Sequence, residues 1–248
     1  MIDISPDDVL ARVAADRAAV YAALSTGFYL PDERLVWDLR EGGFVHTIRA
    51  AVAWLGPDAA AYAPDLEDLH AIGHALGARS IDEVLRDLRV EHARLFTGPG
   101  RPDVSIFESE YLDSGDGMAG RLDGPSTVQV RRWYRSAGLE RATAHRDLPD
   151  HVATELEFLH LLASRESEAR HEGRIHDAHQ LRRDTDRFLR EHPARWIPAF
   201  CRATLAAHPH RFYGALAGLL AIHIATELGE NLERARLPWQ SEPRSAGA

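Results

Sequence analysis

Almost every stretch of this chain repeats its apolar residues at helical spacing, and no run alternates with the period of two that a half-buried strand needs. That pattern limits the fold more than any single motif. Ser5-Pro6-Asp7-Asp8 opens a first helix, with a capping hydroxyl, proline in the first turn and two acids at the positive end of the helix dipole. Leu10, Val13, Arg17, Val20, Tyr21, Leu24 and Phe28 then hold a 3.6-residue rhythm until Pro31 stops it. The same reading predicts helices near 32–40, 44–55, 65–77, 80–96, 126–137, 148–171, 174–191, 194–207 and 210–229. Gly42-Gly43, Gly56-Pro57, Pro64, Gly138, Gly173, Pro193 and Pro209 punctuate them. The expectation is an all-α fold, a single globular domain of about ten helices over 1–237, followed by a mobile tail at 238–248. Residues 97–125 break the pattern. Gly98, Gly100, Gly115, Gly117, Gly120 and Gly124 stand there with Pro99, Pro102 and Pro125, which predicts a long central loop or a joint between two helical lobes.

Charge and cysteine usage narrow the chemistry. The chain has 248 residues, 29 basic and 38 acidic, for a formal net charge of −9. Nucleic acid is a poor partner for that balance, because neutralising phosphates needs a basic footprint, whereas a cationic partner is attracted. Every basic side chain is arginine, so no lysine is available for Schiff-base or amine nucleophile chemistry. One cysteine, Cys201, excludes an intramolecular disulfide and a thiolate metal cluster, and its apolar surroundings predict a buried structural thiol. The acidic start lacks the apolar core of a secretory signal, and the most apolar run, 214–222, is too short to span a bilayer. A cytoplasmic protein with no stable membrane insertion is the expectation.

Two stretches carry chemistry of their own. Asp147-Leu148-Pro149-Asp150-His151 runs into the apolar segment Val152–Leu162. One reading is structural: Asp147 caps a helix, Pro149 fits its first turn and Asp150 favours the positive dipole end. The other is functional: Asp150 offers a carboxylate and His151 a titratable donor at the edge of a groove, where a guanidinium could pair bidentately. The second stretch reads His92-Ala93-Arg94-Leu95-Phe96-Thr97-Gly98-Pro99-Gly100, followed by Ile106-Phe107-Glu108-Ser109-Glu110-Tyr111. Leu95 and Phe96 finish a helix's buried face more readily than they contact a ligand, while Glu108, Glu110 and Tyr111 suit either a groove rim or plain solvation.

A metal reading competes. Glu67/His70, Glu157/His160 and Glu168/His171 all match Glu-x-x-His, the spacing used in di-iron helical bundles. Two of these matches lie in polar runs that predict solvated faces, and neither a metal nor a cofactor is expected. His171, His176 and His179 read as solvent-facing, and His223 as a core or groove-lining histidine. No nucleophile elbow, phosphate loop, dinucleotide fingerprint or zinc-protease motif occurs, so no catalytic residue is assigned.

Taken together, the 92–111 and 147–162 segments resemble the TorD/DmsD/NarJ family of cytoplasmic chaperones for molybdenum oxidoreductases. The family pairs Asp with His at the position of Asp150-His151 and has an aromatic-x-x-Leu-Phe, Gly-Pro-Gly and Pro-Tyr-Glu-Ser pattern where this chain has Leu95-Phe96, Gly98-Pro99-Gly100 and Phe107-Glu108-Ser109. The chain departs from that pattern where the acid before Pro149 is Leu148, the leading aromatic is His92, and the proline before Phe107 is Ile106. The resemblance implies a protein that is not an enzyme. Its implied partner is the precursor of a molybdopterin oxidoreductase, through the twin-arginine signal peptide and the apoenzyme. It would assist cofactor insertion and delay export. An acidic helical protein offers carboxylates to the arginines and a helix-lined groove to the apolar part of such a peptide. The carboxylates named for that role are Asp150, Glu108 and Glu110, with His151 beside them; the groove walls are Leu95, Phe96, Tyr111, Trp133, Tyr134 and Phe158. Replacing Asp150 and His151 by alanine should then weaken peptide binding while leaving the melting temperature nearly unchanged. A helical adaptor for a non-exported partner and a carboxylate/histidine di-metal oxidase are the alternatives, and monomer and dimer both stay open.

Overall fold

Ser5 begins the first helix as its sequence predicts: its Oγ accepts from the Asp8 backbone N–H at 3.1 Å while the Asp8 carboxylate accepts from Ser5 N–H at 3.3 Å. In this computed structural model residues 5–98, 102–113, 124–139 and 148–235 are described. The helices are α1 (Pro6–Phe28), α2 (Glu33–Arg40), α3 (Gly43–Val52), α4 (Ala63–Leu76), α5 (Ile81–His92), α6 (Glu108–Leu112), α7 (Pro125–Ser136), α8 (Val152–His171), α9 (Ile175–Glu191), α10 (Pro193–Ala206), α11 (Arg211–Leu228) and α12 (Leu232–Ala235). A 3₁₀ stretch, Ala53–Tyr62, joins α3 to α4, and a π turn, Ala93–Thr97, extends α5. The fold is all-α, as the periodicity predicts.

Packing follows the apolar stripes. α1 lies along α8 in the most extensive helix pair, α8 packs on α9, and α11 sits between α10 and α4. Every residue of α11 from Phe212 to Ala225 is buried, so it forms the axis of the core. One continuous apolar cluster draws on α1 to α5, α7 to α11 and the segment around Val104 and Ile106. α4 and α2 approach so closely at Gly73 that a β-carbon there would collide with the Leu39 carbonyl oxygen, a backbone atom that cannot swing aside. α11 ends on Gly229 at φ +67°, the left-handed cap that glycine adopts without strain.

A buried ionic chain ties α11, α1 and α8 together. Arg17 Nε donates to both oxygens of Glu227 at 2.9 and 2.7 Å, and its Nη1 donates to Glu166 Oε2 at 3.3 Å. Glu166 Oε1 in turn accepts from Arg170 Nε at 3.0 Å. Burial opposes the charge on Arg17, but Glu227 and Glu166 outweigh it and hold the guanidinium pKa above its ordinary value. Burial likewise opposes the Glu227 charge, and Arg17 overrides it, holding that carboxyl below its ordinary range.

Two sequence expectations need correction. The segment 97–125 is not simply a loop, because its described part contains α6 and a single β-bridge between Phe107 and His151; residues 99–101 and 114–123 lie outside the described residues. The helix expected from 148 starts at Val152, with Pro149 and Asp150 in a turn and His151 as the N-cap. Proline at 149 disfavours helical backbone for the residue before it and so permits the late start. Asp147, expected as the cap, and the tail at 238–248 lie outside the described residues. Among the described residues no helix is long and apolar enough to cross a membrane.

Candidate functional site

The two stretches singled out in the sequence meet in space. Ile106–Ser109 runs antiparallel to Asp150–Val152: Val152 N–H donates to Ile106 O at 3.0 Å and Glu108 N–H to Asp150 O at 2.9 Å. Phe107, the N-cap of α6, has no side chain able to cap. Asp150 supplies the function instead, its Oδ2 accepting from Ser109 N–H at 3.1 Å. A carboxylate at the positive end of a short helix is favourable both as acceptor and as charge.

His151 is itself a cap. Its Nδ1 accepts from Ala153 N–H at 3.1 Å, which requires that nitrogen to be unprotonated and places the neutral ring's proton on Nε2. The imidazole lies parallel to the Tyr29 ring (5.8 Å, 6°) and meets the Phe107 ring edge-on (5.4 Å, 72°). Tyr29 Oη donates to Glu157 Oε2 at 2.9 Å, so a chain of contacts leads from His151 to the protein surface.

Beneath the bridge is a buried acidic centre. Glu108, Asp150 and Glu155 are each 0% exposed. Glu108 Oε1 and Oε2 lie 3.0 and 3.1 Å from His192 Nδ1, and Trp196 Nε1 donates to Glu155 Oε2 at 3.0 Å. Burial, followed by the neighbouring Glu108 carboxylate, pushes the Glu155 pKa well above the carboxylate range despite the Trp196 hydrogen bond. Both effects favour the neutral form of Glu155 beside Glu108. Tyr134 closes the other side, its Oη donating to Pro149 O at 2.7 Å, and burial raises its phenol pKa well above normal.

This geometry changes what several predicted site residues do. Glu108 and Asp150 are not on a groove rim; both are buried, and they organise the backbone of the two motif segments. Leu95, Phe96, Phe158 and Tyr134 are core residues rather than groove walls. Phe96 packs among Phe28, Phe200, Tyr213 and His92, and Phe158 among Tyr134 and Phe188. Glu110, Tyr111 and Trp133 are half-buried and keep part of their surface open. Tyr111 leans on Trp196 at 5.4 Å, and Arg187 lies over the Trp133 ring at 5.3 Å. His92, standing where the resembled family has an aromatic residue, fills an aromatic's place: it is buried and meets Phe96 edge-on at 5.3 Å.

Sequence reasoning missed Glu155, His192, Trp196 and Tyr29. Glu155 had a signal, since it shares a helical face with Leu159 and Leu162 and so points to the core. His192 and Tyr29 had none, because their partners are distant in the chain. Of the Glu-x-x-His matches, Glu67, His70, Glu168 and His171 are exposed, while His160 Nδ1 lies 2.9 Å from the Ala18 carbonyl. Among the described residues no group of three or more His, Cys, Asp or Glu is placed to hold a metal ion. Cys201 is buried, and burial raises its thiol pKa far above normal.

Among the described residues, two short motifs pair within an all-helical framework. Residues 58–202, more than half of the chain and including both motif segments, match the family model described as nitrate reductase delta subunit. The chain belongs to that family, in agreement with the TorD/DmsD/NarJ resemblance read from its motifs. It is 35% identical over 149 residues to the selenate reductase assembly chaperone protein of Thauera selenatis, covering 58% of this chain and 71% of that one. Identity to the chlorate reductase assembly chaperone protein of Ideonella dechloratans is 31% over 152 residues, 60% and 74% of the two chains. The chaperone protein TorD of Vibrio cholerae shares 26% over 133 residues, 54% and 57%. The family is one of assembly chaperones rather than catalysts.

Proposed function

We propose that this chain is a dedicated cytoplasmic chaperone for a molybdopterin oxidoreductase precursor, binding its twin-arginine signal peptide and its apo form. By holding the apoenzyme open it assists cofactor insertion, and by covering the signal peptide it delays export. The observation that carries the reading is the family match over residues 58–202, the stretch in which Ile106–Ser109 pairs with Asp150–Val152, together with the likeness to reductase assembly chaperones. In this reading Asp150, His151 and Glu108 hold the paired segments, Leu95, Phe96, Tyr134 and Phe158 support them from the core, and Glu110, Tyr111 and Trp133 offer surface to the client. The acidic balance suits a client that presents arginines.

Affinity capture of the tagged full chain from its native host, with mass spectrometry of the bound proteins, tests the proposal. The expected catch is a molybdenum oxidoreductase catalytic subunit that retains its N-terminal signal peptide. Recovery of that subunit only in its processed form, or of a partner with no paired arginines near its N-terminus, would overturn the signal-peptide part and favour a general helical adaptor.

A further inference from the structure

A second surface, away from the bridge but joined to it through Tyr29, has the chemistry of a receptor for guanidinium groups. It is an open trough of about 590 Å³ between α1, α2, α3 and the outer face of α8, a size within the usual range of about 300–1,000 Å³ for binding clefts. Its floor is made by Ala19, Ala22 and Ala23, whose small side chains leave room along α1. Leu30, 59% exposed, adds an apolar edge that the fold leaves uncovered.

Three carboxylates converge on this trough from two sides: Asp32 and Asp38 from the start and body of α2, and Glu157 from α8. Asp32 uses Oδ1 to accept from Leu35 N–H at 2.9 Å, and Glu157 uses Oε2 to accept from Tyr29 Oη. Among the described residues none of the three is paired with a cation, although ion pairs are frequent elsewhere on this surface. Among the described residues Arg34 is the one arginine that lines the trough, and His160 points its Nδ1 to the Ala18 carbonyl. Three negative charges against one positive, beside a strip of alanine methyls, favour a ligand with two cationic groups next to an apolar stretch. Wall and motif are continuous, because the Tyr29 ring that bounds the trough stacks on His151.

We infer that this trough binds the arginine-bearing end of the client's signal peptide, with Asp32, Asp38 and Glu157 receiving the guanidinium groups and Ala19, Ala22 and Ala23 receiving the first apolar residues. The inference rests on the signal-peptide reading above, and it moves the arginine-contacting carboxylates from buried Asp150 and Glu108 to exposed residues. A peptide seated there touches Tyr29 and is thereby coupled to the cap of α8.

The probe is a fluorescently labelled synthetic peptide with two adjacent arginines ahead of a leucine- and alanine-rich stretch, and a control in which both arginines are glutamine. Anisotropy titrations use the full chain and the near-isosteric variant Asp32→Asn/Asp38→Asn/Glu157→Gln, which keeps the capping and Tyr29 acceptors. The expected result is at least about tenfold weaker binding of the arginine peptide to the variant, equivalent to about 1.4 kcal/mol, with a flatter salt dependence. Ala22→Trp, which fills the trough without touching a charge, should weaken it as well, circular dichroism serving to confirm the fold. If the arginine peptide binds the charge variant as tightly as the natural chain, the trough assignment is wrong while the signal-peptide reading stands. If the natural chain binds arginine and glutamine peptides alike, or neither, the signal-peptide reading itself fails and takes the trough with it.

Discussion

The Asp150 carboxylate caps a helix that begins forty-odd residues upstream of it: Oδ2 accepts from Ser109 N–H at 3.1 Å across a separation of 41 positions. One residue thus ends the turn before α8 and secures the start of α6, and its neighbour His151 caps α8. The Asp-His pair is the joint between two segments, and its stability role is inseparable from any binding role.

Asp150→Ala should therefore cost stability, against the near-constant melting temperature expected from sequence. Losing the partner of a buried N–H leaves that group unsatisfied, at about 1–3 kcal/mol, and about 2–4 °C of melting temperature follows from each kcal/mol in a chain of this size. Asp150→Asn, which keeps an acceptor, should recover most of the loss. A thermal melt of both variants decides, and an unchanged midpoint for the alanine variant would show the cap to be dispensable.

Glu155 makes stability depend on pH in a definite direction. Burial and the adjacent Glu108 raise its folded-state pKa well above the ordinary 4.5, so the folded state holds a proton that the unfolded state releases. Its contribution is complete below about pH 4.5 and is lost as pH climbs towards the raised folded value. Glu155→Gln does not titrate and still offers an oxygen to Trp196. The variant's melting temperature should gain on the natural chain steadily as pH rises above the ordinary carboxylate value of 4.5; curves that stay parallel would mean that Glu155 is ionised in the fold.

Arg17 is the hinge of the buried ionic chain. Arg17→Leu takes from Glu227 its bidentate partner, whereas Glu166 keeps Arg170, and removing one partner of a buried pair costs about 3–5 kcal/mol. Combining it with Glu227→Gln should return a substantial part of that loss, because the uncompensated charge goes as well. A double-mutant cycle by chemical denaturation measures the coupling, and strict additivity of the two changes would argue against a direct pair.

Gly73→Ala should destabilise the contact between α2 and α4. Its new methyl meets the Leu39 carbonyl oxygen, so the helices must part, at about 1–3 kcal/mol for overpacking. Ordinarily glycine to alanine inside a helix helps, by about 0.5–1 kcal/mol. The sign of the change in a denaturant titration is therefore diagnostic of the close approach.

Which parts of this were legible beforehand follows from the range of the forces involved. Most of the helices and their order are readable because apolar spacing and the Gly/Pro breaks are local: the Ser5 capping box, the stop at Pro31 and the buried stripe of α1 all appear in the structure as written in the sequence. Boundaries slipped where the deciding contact was remote. α8 was placed from residue 148 because Pro149 and Asp150 suit a first turn, but the bridge to Phe107 holds that turn outside the helix. α6 was invisible because its cap comes from Asp150 rather than from its own N-terminal neighbour.

The sequence by itself determined an all-helical chain, the family to which its two motifs belong, and the irregular stretch that follows the first of them. Residue identity and spacing are sufficient for those conclusions, since capping, amphipathicity and proline effects act within a turn or two. Only the tertiary structure decided which charges are buried and which are free to bind. Glu108 and Asp150 look like surface acids in the sequence, yet the fold buries both; Asp32 and Asp38 look unremarkable, yet the fold sets both, exposed, around one trough. Burial and charge pairing are set by elements far apart in the chain, and no local pattern records them.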